Sequence, residues 1–387
     1  MITNPIGIIA VLLAIECGIL FLASHERTKH FFDHVPSIFW IYFLPMLAST
    51  VGLIDAGSPL YSKVSNYLLP ASLFILLVTV DIRAILRLGQ KALLMFFAGG
   101  IGVGLGVLIA FIVFKPWIGA HYWSGFGALA GSWTGGSANM IATKEALGTP
   151  DAVFLPMVIV DTVVPYLWMG IMVIFSQHQH HYDRFNKSDR GILDELSRKI
   201  SQGVKLNKGI HVLSTAGIVT VALAAMSLAW FLSQFLPVVR NVISAYAWTI
   251  ILISSFGIAL SFTSLRKIES YGSNKIGYFI LYFVLTTIGA KASINNFSSA
   301  LILIAAGFLI IFIHVIVLLI VARIIRAPLF LAAVASQANV GGVDSAPMVA
   351  EIYQKGFASV GLLLAILGNI IGTYIGIAAG QLCRLFA

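Results

Sequence analysis

Long apolar runs alternate with short polar segments along almost the whole chain. A helix needs about 20 apolar residues to cross the hydrocarbon core of a bilayer, which is about 30 Å thick. Twelve runs approach or reach this length, at about residues 5–23, 37–54, 67–81, 92–114, 120–147, 153–175, 210–236, 244–262, 276–290, 298–322, 328–350 and 357–384. The pattern predicts an all-α polytopic membrane protein with about 11–12 transmembrane helices.

The composition supports this class of protein and excludes several others. Of the 387 residues, 59% are hydrophobic and only 10% are charged, against about 25% charged residues in a typical soluble protein. So few charges cannot cover a soluble surface, which argues against a cytosolic enzyme. The net charge of +9 comes from basic residues that mostly flank apolar runs, where charges fix topology and meet anionic lipid headgroups. The expected partner is therefore a lipid bilayer, with no nucleic acid.

A single long polar stretch, residues 176–209, divides the chain into two halves. We predict a first transmembrane repeat with its leading helix at residues 1–175 and a second at residues 210–387, joined by this linker. The linker contains a histidine-rich tract at residues 177–181. Its composition is that of a weak metal-binding tract, but a solvated loop is favoured.

The two halves share four landmarks in the same order. These are a basic residue, a Gly-Gly pair, a polar residue inside an apolar run and a tyrosine five residues later. They are Arg83, Gly135 with Gly136, Asp161 and Tyr166 in the first half, and Lys291, Gly341 with Gly342, Asn369 and Tyr374 in the second. The successive spacings are 52 and 26 residues in the first half and 50 and 28 in the second. This agreement predicts an internal duplication, which is common in secondary transporters.

The distribution of basic residues favours an inverted orientation of the two repeats. Arg83 is followed closely by Arg87 and Lys91, whereas Lys291 stands alone. By the positive-inside rule the third run should end in the cytoplasm and the ninth outside. Six full crossings in each half would instead give both halves the same orientation. Inversion therefore requires one run that does not cross fully, or one further crossing, and the mismatch falls around residues 176–240.

Two of the runs are interrupted near their centres by a Gly-Gly pair among small polar residues. The candidate site residues are Thr134, Gly135, Gly136, Ser137 and Asn139 in the fifth run and Gln337, Asn339, Gly341, Gly342, Asp344 and Ser345 in the eleventh. Lipid cannot satisfy the backbone of an unwound segment, so such a segment must face protein or a water-filled cavity. Freed carbonyl groups can coordinate cations, and half-helix N-termini can hold anionic groups. We predict one discontinuous helix in each repeat. The glycine-rich segment 99–106 is attributed to close helix packing.

The segments Ser132-Trp-Thr-Gly-Gly-Ser-Ala-Asn-Met140 and Ala338-Asn-Val-Gly-Gly-Val-Asp-Ser-Ala-Pro-Met348 resemble the paired signatures of bacterial membrane proteins in the domain-of-unknown-function family 819. The resemblance covers nearly the whole chain. That family is grouped with the cation:proton antiporter and anion transporter superfamily, which includes bile-acid sodium symporters. The resemblance implies inverted repeats, two discontinuous helices that cross in a mobile core, and a multi-pass protein of the bacterial cell (inner) membrane. The second motif of the family more often has Pro-Ala-Thr where this chain has Val343-Asp344-Ser345.

Several polar residues inside apolar runs are weighed individually. Asp161 carries a carboxylate at a depth where it is costly, which favours a proton relay or a cation ligand over a structural hydrogen bond. Asn369, its repeat partner, suits an oxygen ligand or a structural amide. Asp344 is interpreted as a second cation ligand, so that Na+ would lie at Asp161 and Asp344, with an N-cap of the following half-helix as the alternative. Glu16 is assigned to helix packing. For Arg83 and Lys291 two interpretations stay open: contact with the crossing region or an anionic substrate, or simply a basic residue at a helix end.

Motifs of known enzymes are missing from the sequence. It has no Ser/His/Asp grouping, His-Glu-x-x-His segment or Walker loop. Cys17 and Cys383 are the two cysteines, and neither a disulfide framework nor a cysteine-ligated metal is expected. The leading hypothesis is therefore a secondary active transporter and not an enzyme. It would move a small organic solute by alternating access, in an elevator-like manner, with Na+ or H+ as the coupling ion and no resident cofactor.

Two alternatives remain open. A passive channel would be lined by polar residues along the whole length of its pore, whereas here they concentrate at one depth. An intramembrane enzyme could use Asp161 and Asp344 as paired acid and base, although no known motif supports it. The substrate could be an organic anion, an amino acid or a small cell-wall-derived peptide. The sequence also leaves a homodimer open.

Overall fold

The structure is a computed structural model that describes residues 1–34, 37–188, 212–238, 244–291 and 300–387. In these ranges the chain is built from helices with no β-strand, apart from an isolated β-bridge between Ile2 and Ile54. The protein is therefore an all-α polytopic membrane protein, and the predicted fold class is confirmed.

Each of the twelve predicted runs contains one or two helices. The helices of the first half are α1 (Pro5–Ser24), α2 (Glu26–His34), α3 (Ser37–Thr50), α4 (Leu60–Val78), α5 (Ile82–Leu86), α6 (Gln90–Ile118), α7 (Trp123–Gly135), α8 (Ser137–Leu147), α9 (Asp151–Ser176) and α10 (Gln179–Asn186). Those of the second half are α11 (Val212–Ser233), α12 (Ala245–Ser261), α13 (Ser273–Lys291), α14 (Ala300–Ile325), α15 (Leu329–Val340), α16 (Gly342–Tyr353) and α17 (Ala358–Leu385). Two short 3₁₀ helices lie at Ala120–Tyr122 and Ser264–Tyr271.

Seven of the described helices are long and apolar enough to cross a bilayer, namely α1, α4, α6, α9, α11, α14 and α17. An eighth span results if α12 is counted together with the 3₁₀ helix that follows it at an angle of 94°. The sequence predicted about 11–12 transmembrane helices. The lower number arises because the remaining runs form shorter or less apolar helices, including those of the two interrupted runs.

The chain forms two compact units, each drawn from both halves of the sequence. The first unit comprises residues 1–79, 149–162 and 207–300, and the second comprises residues 80–148, 163–206 and 301–387. The predicted division at residues 176–209 concerns repeats along the chain, which is a different property, and it stays a prediction.

The first unit is centred on α4, whose apolar side chains pack against α11, α12 and α13. Phe74 and Ile75 share a buried cluster with Ala222 of α11 and Ile253 of α12. Near the end of α4, the Thr79 hydroxyl lies 2.6 Å from the side-chain oxygen of Asn274 at the start of α13. A methyl group on Gly277, later in α13, would lie 2.9 Å from the side chain of Leu76, earlier in α4, so the two helices run antiparallel.

In the second unit, α6 and α14 approach each other closely through glycines. A methyl group on Gly102 would lie 2.9 Å from the Cα atom of His314, and one on Gly106 would lie 2.8 Å from the carbonyl oxygen of Ile310. Contacts at these distances leave no room for a side chain. The predicted packing role of the glycine-rich segment 99–106 is therefore confirmed. The order of the contacts also shows that α6 and α14 are antiparallel.

Part of the polar linker is folded and docked in the second unit. Asn186 of α10 donates hydrogen bonds to the carbonyl oxygens of Ala322 and Ala327, at 3.1 and 2.8 Å. Asp183 accepts a hydrogen bond of 2.9 Å from the backbone N–H of Leu329 at the start of α15. The solvated loop expected around the histidine tract is partly a helix, because these buried polar contacts stabilise α10. The proposed amphipathic turn at residues 192–196 lies outside the described residues.

Candidate functional site

The first interrupted run is a hairpin of two short helices. A methyl group on Gly127 of α7 would lie 2.6 Å from the Leu147 side chain at the end of α8, and one on Gly131 would lie 2.5 Å from Thr143. Along a continuous helix, 20 residues span about 30 Å, so α8 must turn back beside α7. The turn is at Gly136, whose φ of 78° is accessible to glycine at little cost.

The second interrupted run is also a hairpin. Gln337 of α15 donates a hydrogen bond of 2.6 Å to the Ser345 hydroxyl of α16. Near the base, the rings of Phe330 and Phe357 lie 5.4 Å apart, which a straight course through α15 and α16 would prevent. Gly342 at the turn has a φ of 65°.

The interruptions predicted from the sequence are therefore confirmed, but their geometry differs from the expected crossing of two discontinuous helices. In each hairpin the second helix reverses direction instead of continuing. Because α7, α8, α15 and α16 have 11–13 residues each, each arm is only about 16–20 Å long. That length is short of the bilayer core, as in a re-entrant hairpin.

The tips of the two hairpins meet. A methyl group on Gly342 would lie 4.0 Å from the Cα atom of Gly136, and one on Gly136 would lie 3.7 Å from the side-chain oxygen of Asn369. Almost all residues of α7 and α15 are buried. At the junction itself four residues are half-buried, namely Gly136, Ser137, Gly342 and Asn369. Both α8 and α16 begin at this junction without a side-chain cap. The junction thus presents two helix N-termini, which attract anionic groups.

A series of glycines holds the first hairpin against α17. Methyl groups on Gly372, Gly376 and Gly380 would lie 2.6, 2.8 and 3.2 Å from the Cα atoms of Gly135, Gly131 and Gly127, respectively. The glycines recur every four residues on both helices, so they form one face on each. This contact fixes the first hairpin with its tip beside Asn369.

Asn139 connects the first hairpin to α17. Its side-chain oxygen accepts hydrogen bonds from the backbone N–H and the hydroxyl of Thr373, at 2.9 and 2.6 Å, and its amide nitrogen donates to the Gly135 carbonyl oxygen. Thr134 is buried, and its hydroxyl donates to the carbonyl oxygen of Ala130 in its own helix. These contacts give both residues a bracing role, while their predicted role as ligands stays a prediction.

Two buried amide side chains of the second hairpin each have an oxygen atom without a hydrogen-bond partner. The side chains of Gln337 and Asn339 are fully buried. Asn339 donates to the carbonyl oxygens of Phe96 and Ala335, at 3.0 and 2.8 Å. The side-chain oxygens of both amides have no hydrogen-bond partner. An unsatisfied buried acceptor is costly, so these two oxygens are candidate ligands for a cation or for a substrate donor.

The structure does not bring all predicted site residues into one described cluster. Asp161 is half-buried in α9 and belongs to the first unit, whereas both hairpins belong to the second. The side chain of Asp344 lies outside the described part of the chain, although its backbone forms part of α16. The sodium site predicted at these two carboxylates stays a prediction.

The remaining charged candidates lie away from the hairpin tips in sequence. Arg83 is exposed in the short helix α5. Lys291 ends α13 and forms an ion pair of 3.6 Å with Asp151, which agrees with the helix-end interpretation. Glu16 is fully buried in α1, and neither of its carboxyl oxygens has a hydrogen-bond partner.

The candidates predicted from the sequence did not include His314. His314 is fully buried in α14 and hydrogen-bonds to Gly99 and Ser336. The signal was available, because an ionisable residue inside a membrane run is a functional candidate by the same criterion that selected Asp161.

Comparison with known proteins identifies the family of the chain. Residues 8–386 match the family described as "Protein of unknown function (DUF819)". The chain belongs to this family. A relative, the "Uncharacterized membrane protein YjcL" of Bacillus subtilis (strain 168), is 24% identical over 346 residues, which cover 87% of each chain. The DUF819 match spans both hairpins and both halves of the chain, so the hairpin pair lies within the family's common region.

Proposed function

We propose that the protein is a secondary active transporter whose substrate site lies where the tips of the two hairpins meet. The contact between Gly136 and Gly342 carries this proposal. At that point the C-terminal ends of α7 and α15 and the N-terminal ends of α8 and α16 come together. Helix C-termini favour cations and helix N-termini favour anions, so the junction suits a small organic solute with an anionic group, bound together with a coupling cation.

The antiparallel contacts support an inverted-repeat architecture. Helices α4 and α13 hold equivalent places in the two halves, as do α6 and α14, and each pair is antiparallel. If the hairpins do not cross the membrane, five longer helices remain in each half, apart from the short α2, α5 and α10. With an odd number of crossings in the first half, the second half has the opposite orientation. Six crossings would instead give both halves the same orientation. We propose that the protein belongs to the cation:proton antiporter and anion transporter superfamily, for which inverted repeats are expected.

The coupling ion is proposed to be Na+ or H+. Sodium prefers hard oxygen ligands, and the unpartnered oxygens of Gln337 and Asn339 are of this kind. The role of Asp161 as a proton relay or cation ligand rests on the sequence and stays a prediction. We place the protein in the bacterial cell (inner) membrane and propose transport instead of catalysis; a homodimer stays a prediction.

An uptake screen in proteoliposomes tests the proposal. Radiolabelled organic anions, amino acids and cell-wall-derived peptides are supplied with an inward Na+ gradient at equal pH, with an inward H+ gradient without Na+, or with no gradient. We expect one solute class to accumulate above equilibrium with one gradient. Asn369→Ala should reduce that uptake, because Asn369 faces the tip of the first hairpin, while leaving thermal melting nearly unchanged.

Other outcomes would point to the alternatives. Equilibration of solutes without accumulation under either gradient would contradict secondary transport and favour a channel. Chemical conversion of a solute during uptake would favour an intramembrane enzyme. Asp161→Asn should abolish gradient-driven accumulation, since it removes a titratable charge and keeps a side chain of similar size. Wild-type uptake in this variant would show that Asp161 is a structural residue.

A further inference from the structure

His314 lies in the middle of α14, the most apolar of the described helices. The span that contains it, Leu301–Ile325, has a mean hydropathy of 3.1, the highest among the candidate spans of the described chain. The imidazole is fully buried. An apolar residue would fill this position at lower cost, so an ionisable group at this depth points to a function.

The hydrogen bonds of His314 determine which ring nitrogen carries the proton in the neutral side chain. Nδ1 lies 2.9 Å from the carbonyl oxygen of Gly99. A carbonyl oxygen can only accept, so Nδ1 must donate. Nε2, which lies 2.9 Å from the Ser336 hydroxyl oxygen, is then an acceptor, and the hydroxyl donates to it.

Trp168 completes a chain of matched donors and acceptors. Its indole N–H donates to the Ser336 oxygen at 2.9 Å. The chain therefore runs from Trp168 through Ser336 and His314 to the Gly99 carbonyl oxygen. It joins α9, α15, α14 and α6 within the second unit. Ser336 lies on the first arm of the second hairpin, next in sequence to Gln337, so the chain of hydrogen bonds passes through the hairpin that carries the candidate ligands.

A second proton on the imidazole would reverse one bond in this chain. Protonated Nε2 becomes a donor, so the Ser336 hydroxyl must rotate its hydrogen away from the ring and find another acceptor. The groups that contact the imidazole nitrogens are the Gly99 carbonyl oxygen from α6 and the Ser336 hydroxyl from α15. Trp168 contributes through Ser336. All of these groups are uncharged, so none of them balances an imidazolium charge.

We propose that His314 is the binding site of the coupling proton, and that its bond to Ser336 transmits protonation to the second hairpin. This inference rests on the proposed transport function. The imidazole is sealed from solvent in the present conformation, so protons exchange when the second hairpin moves. Protonation and hairpin position are thereby linked, as coupling requires.

The test follows the accessibility of the tip of the second hairpin and needs no substrate. Val343→Cys is introduced with Cys17→Ser and Cys383→Ala, and the protein in lipid nanodiscs is labelled with a maleimide between about pH 4 and pH 8. Leu86→Cys, which replaces an exposed side chain, corrects for the pH dependence of the thiol. We expect the corrected labelling rate of Val343→Cys to change severalfold across this range.

His314→Gln should make the corrected rate independent of pH, because glutamine retains a donor and an acceptor but does not titrate. Trp168→Phe should keep the pH dependence, since the titratable ring and Ser336 remain. A pH dependence that persists in His314→Gln, or a wild-type rate without pH dependence, would overturn the proposal.

A second variant separates protonation from its transmission. In Ser336→Ala, ¹⁵N NMR of the labelled histidines should still show His314 changing between the Nδ1–H form and the imidazolium, while the labelling rate no longer responds to pH. An Nε2–H neutral form in the wild type would contradict the hydrogen-bond chain. If labelling depends on pH as expected but no gradient drives uptake, the proposed transport function is contradicted, whereas His314 is still supported as a proton-binding site.

Discussion

Single polar residues in this protein stabilise contacts between helices that are distant in sequence. Asn139 and Thr373 are 234 residues apart and share two hydrogen bonds. Removing either partner is costly because the remaining donor or acceptor stays buried without a hydrogen bond. Loss of one of these side chains should therefore weaken the contact between the first hairpin and α17.

Asn139→Ala is expected to destabilise the protein by about 1–3 kcal/mol, because it leaves the Thr373 hydroxyl without its partner and removes the bond to Gly135. Thermal melting in detergent measures the effect. Ser137→Ala, a change in the same hairpin at a half-buried position, is the control and should alter stability by less than about 0.5 kcal/mol. Equal losses in both variants would show that Asn139 has no special bracing role.

The unpartnered oxygen of Asn339 gives a prediction on sodium binding. If it is a ligand, Na+ at 100 times its Kd should stabilise the folded protein by about 2.7 kcal/mol, with K+ at equal ionic strength as the reference. Asn339→Ala should abolish the difference between the two ions in a melting assay.

Asn186→Ala is the matched control for Asn339→Ala. Both amides are buried, both donate to two backbone carbonyl oxygens, and both have an unpartnered side-chain oxygen, but Asn186 lies in α10. The Na+ response should survive in Asn186→Ala. Equal melting shifts in Na+ and K+ for the wild type would argue against a selective sodium site.

At the level of helices, glycines set how closely the hairpin and its neighbour approach. Gly372→Ala is expected to lower the melting temperature, because its methyl group would lie 2.6 Å from the Cα atom of Gly135 and the backbones would have to separate. Gly104→Ala is the matched control, since nothing lies within 4 Å of its added methyl group. It should be neutral or slightly stabilising. Unchanged melting of Gly372→Ala would contradict the close contact of α7 and α17.

The hairpin geometry itself can be tested by cross-linking. Cysteines at Phe330 and Phe357, whose rings lie 5.4 Å apart, should be joined by a short bifunctional thiol reagent in a background lacking Cys17 and Cys383. A straight course from residue 330 to the end of α16 would separate them by about 35 Å. A pair at Phe330 and Val343, one at the base and one at the tip, should not react. Failure of the Phe330 and Phe357 pair to cross-link would contradict the hairpin.

At the level of the whole molecule, the proposed inverted repeats predict opposite sidedness of equivalent positions. Cysteines at Arg83 and Lys291 in the same cysteine-free background should react with a membrane-impermeant thiol reagent from opposite sides of the membrane. The reason is that an odd number of crossings separates the two repeats. Labelling of both from one side would exclude inversion, and the proposed topology would need a crossing helix in each hairpin.

The sequence alone determined the class of the protein and the position of its irregularities. In a bilayer each backbone must satisfy its own hydrogen bonds, so helix formation is a local property that apolar length reveals. The Gly-Gly pairs in two apolar runs predicted both hairpin tips, because glycine allows the backbone to leave the helical conformation. Asp161 and Asn369 stood out because polar groups are costly at this depth.

Only the tertiary structure decided how these segments are arranged. Whether α8 continues from α7 or turns back depends on the backbone conformation of Gly136, which is stabilised by contacts with α17 more than 200 residues later. The tautomer of His314 likewise depends on a carbonyl oxygen from α6 and a hydroxyl group from α15. Helix formation in lipid is a local property, whereas packing joins residues without regard to their distance along the chain.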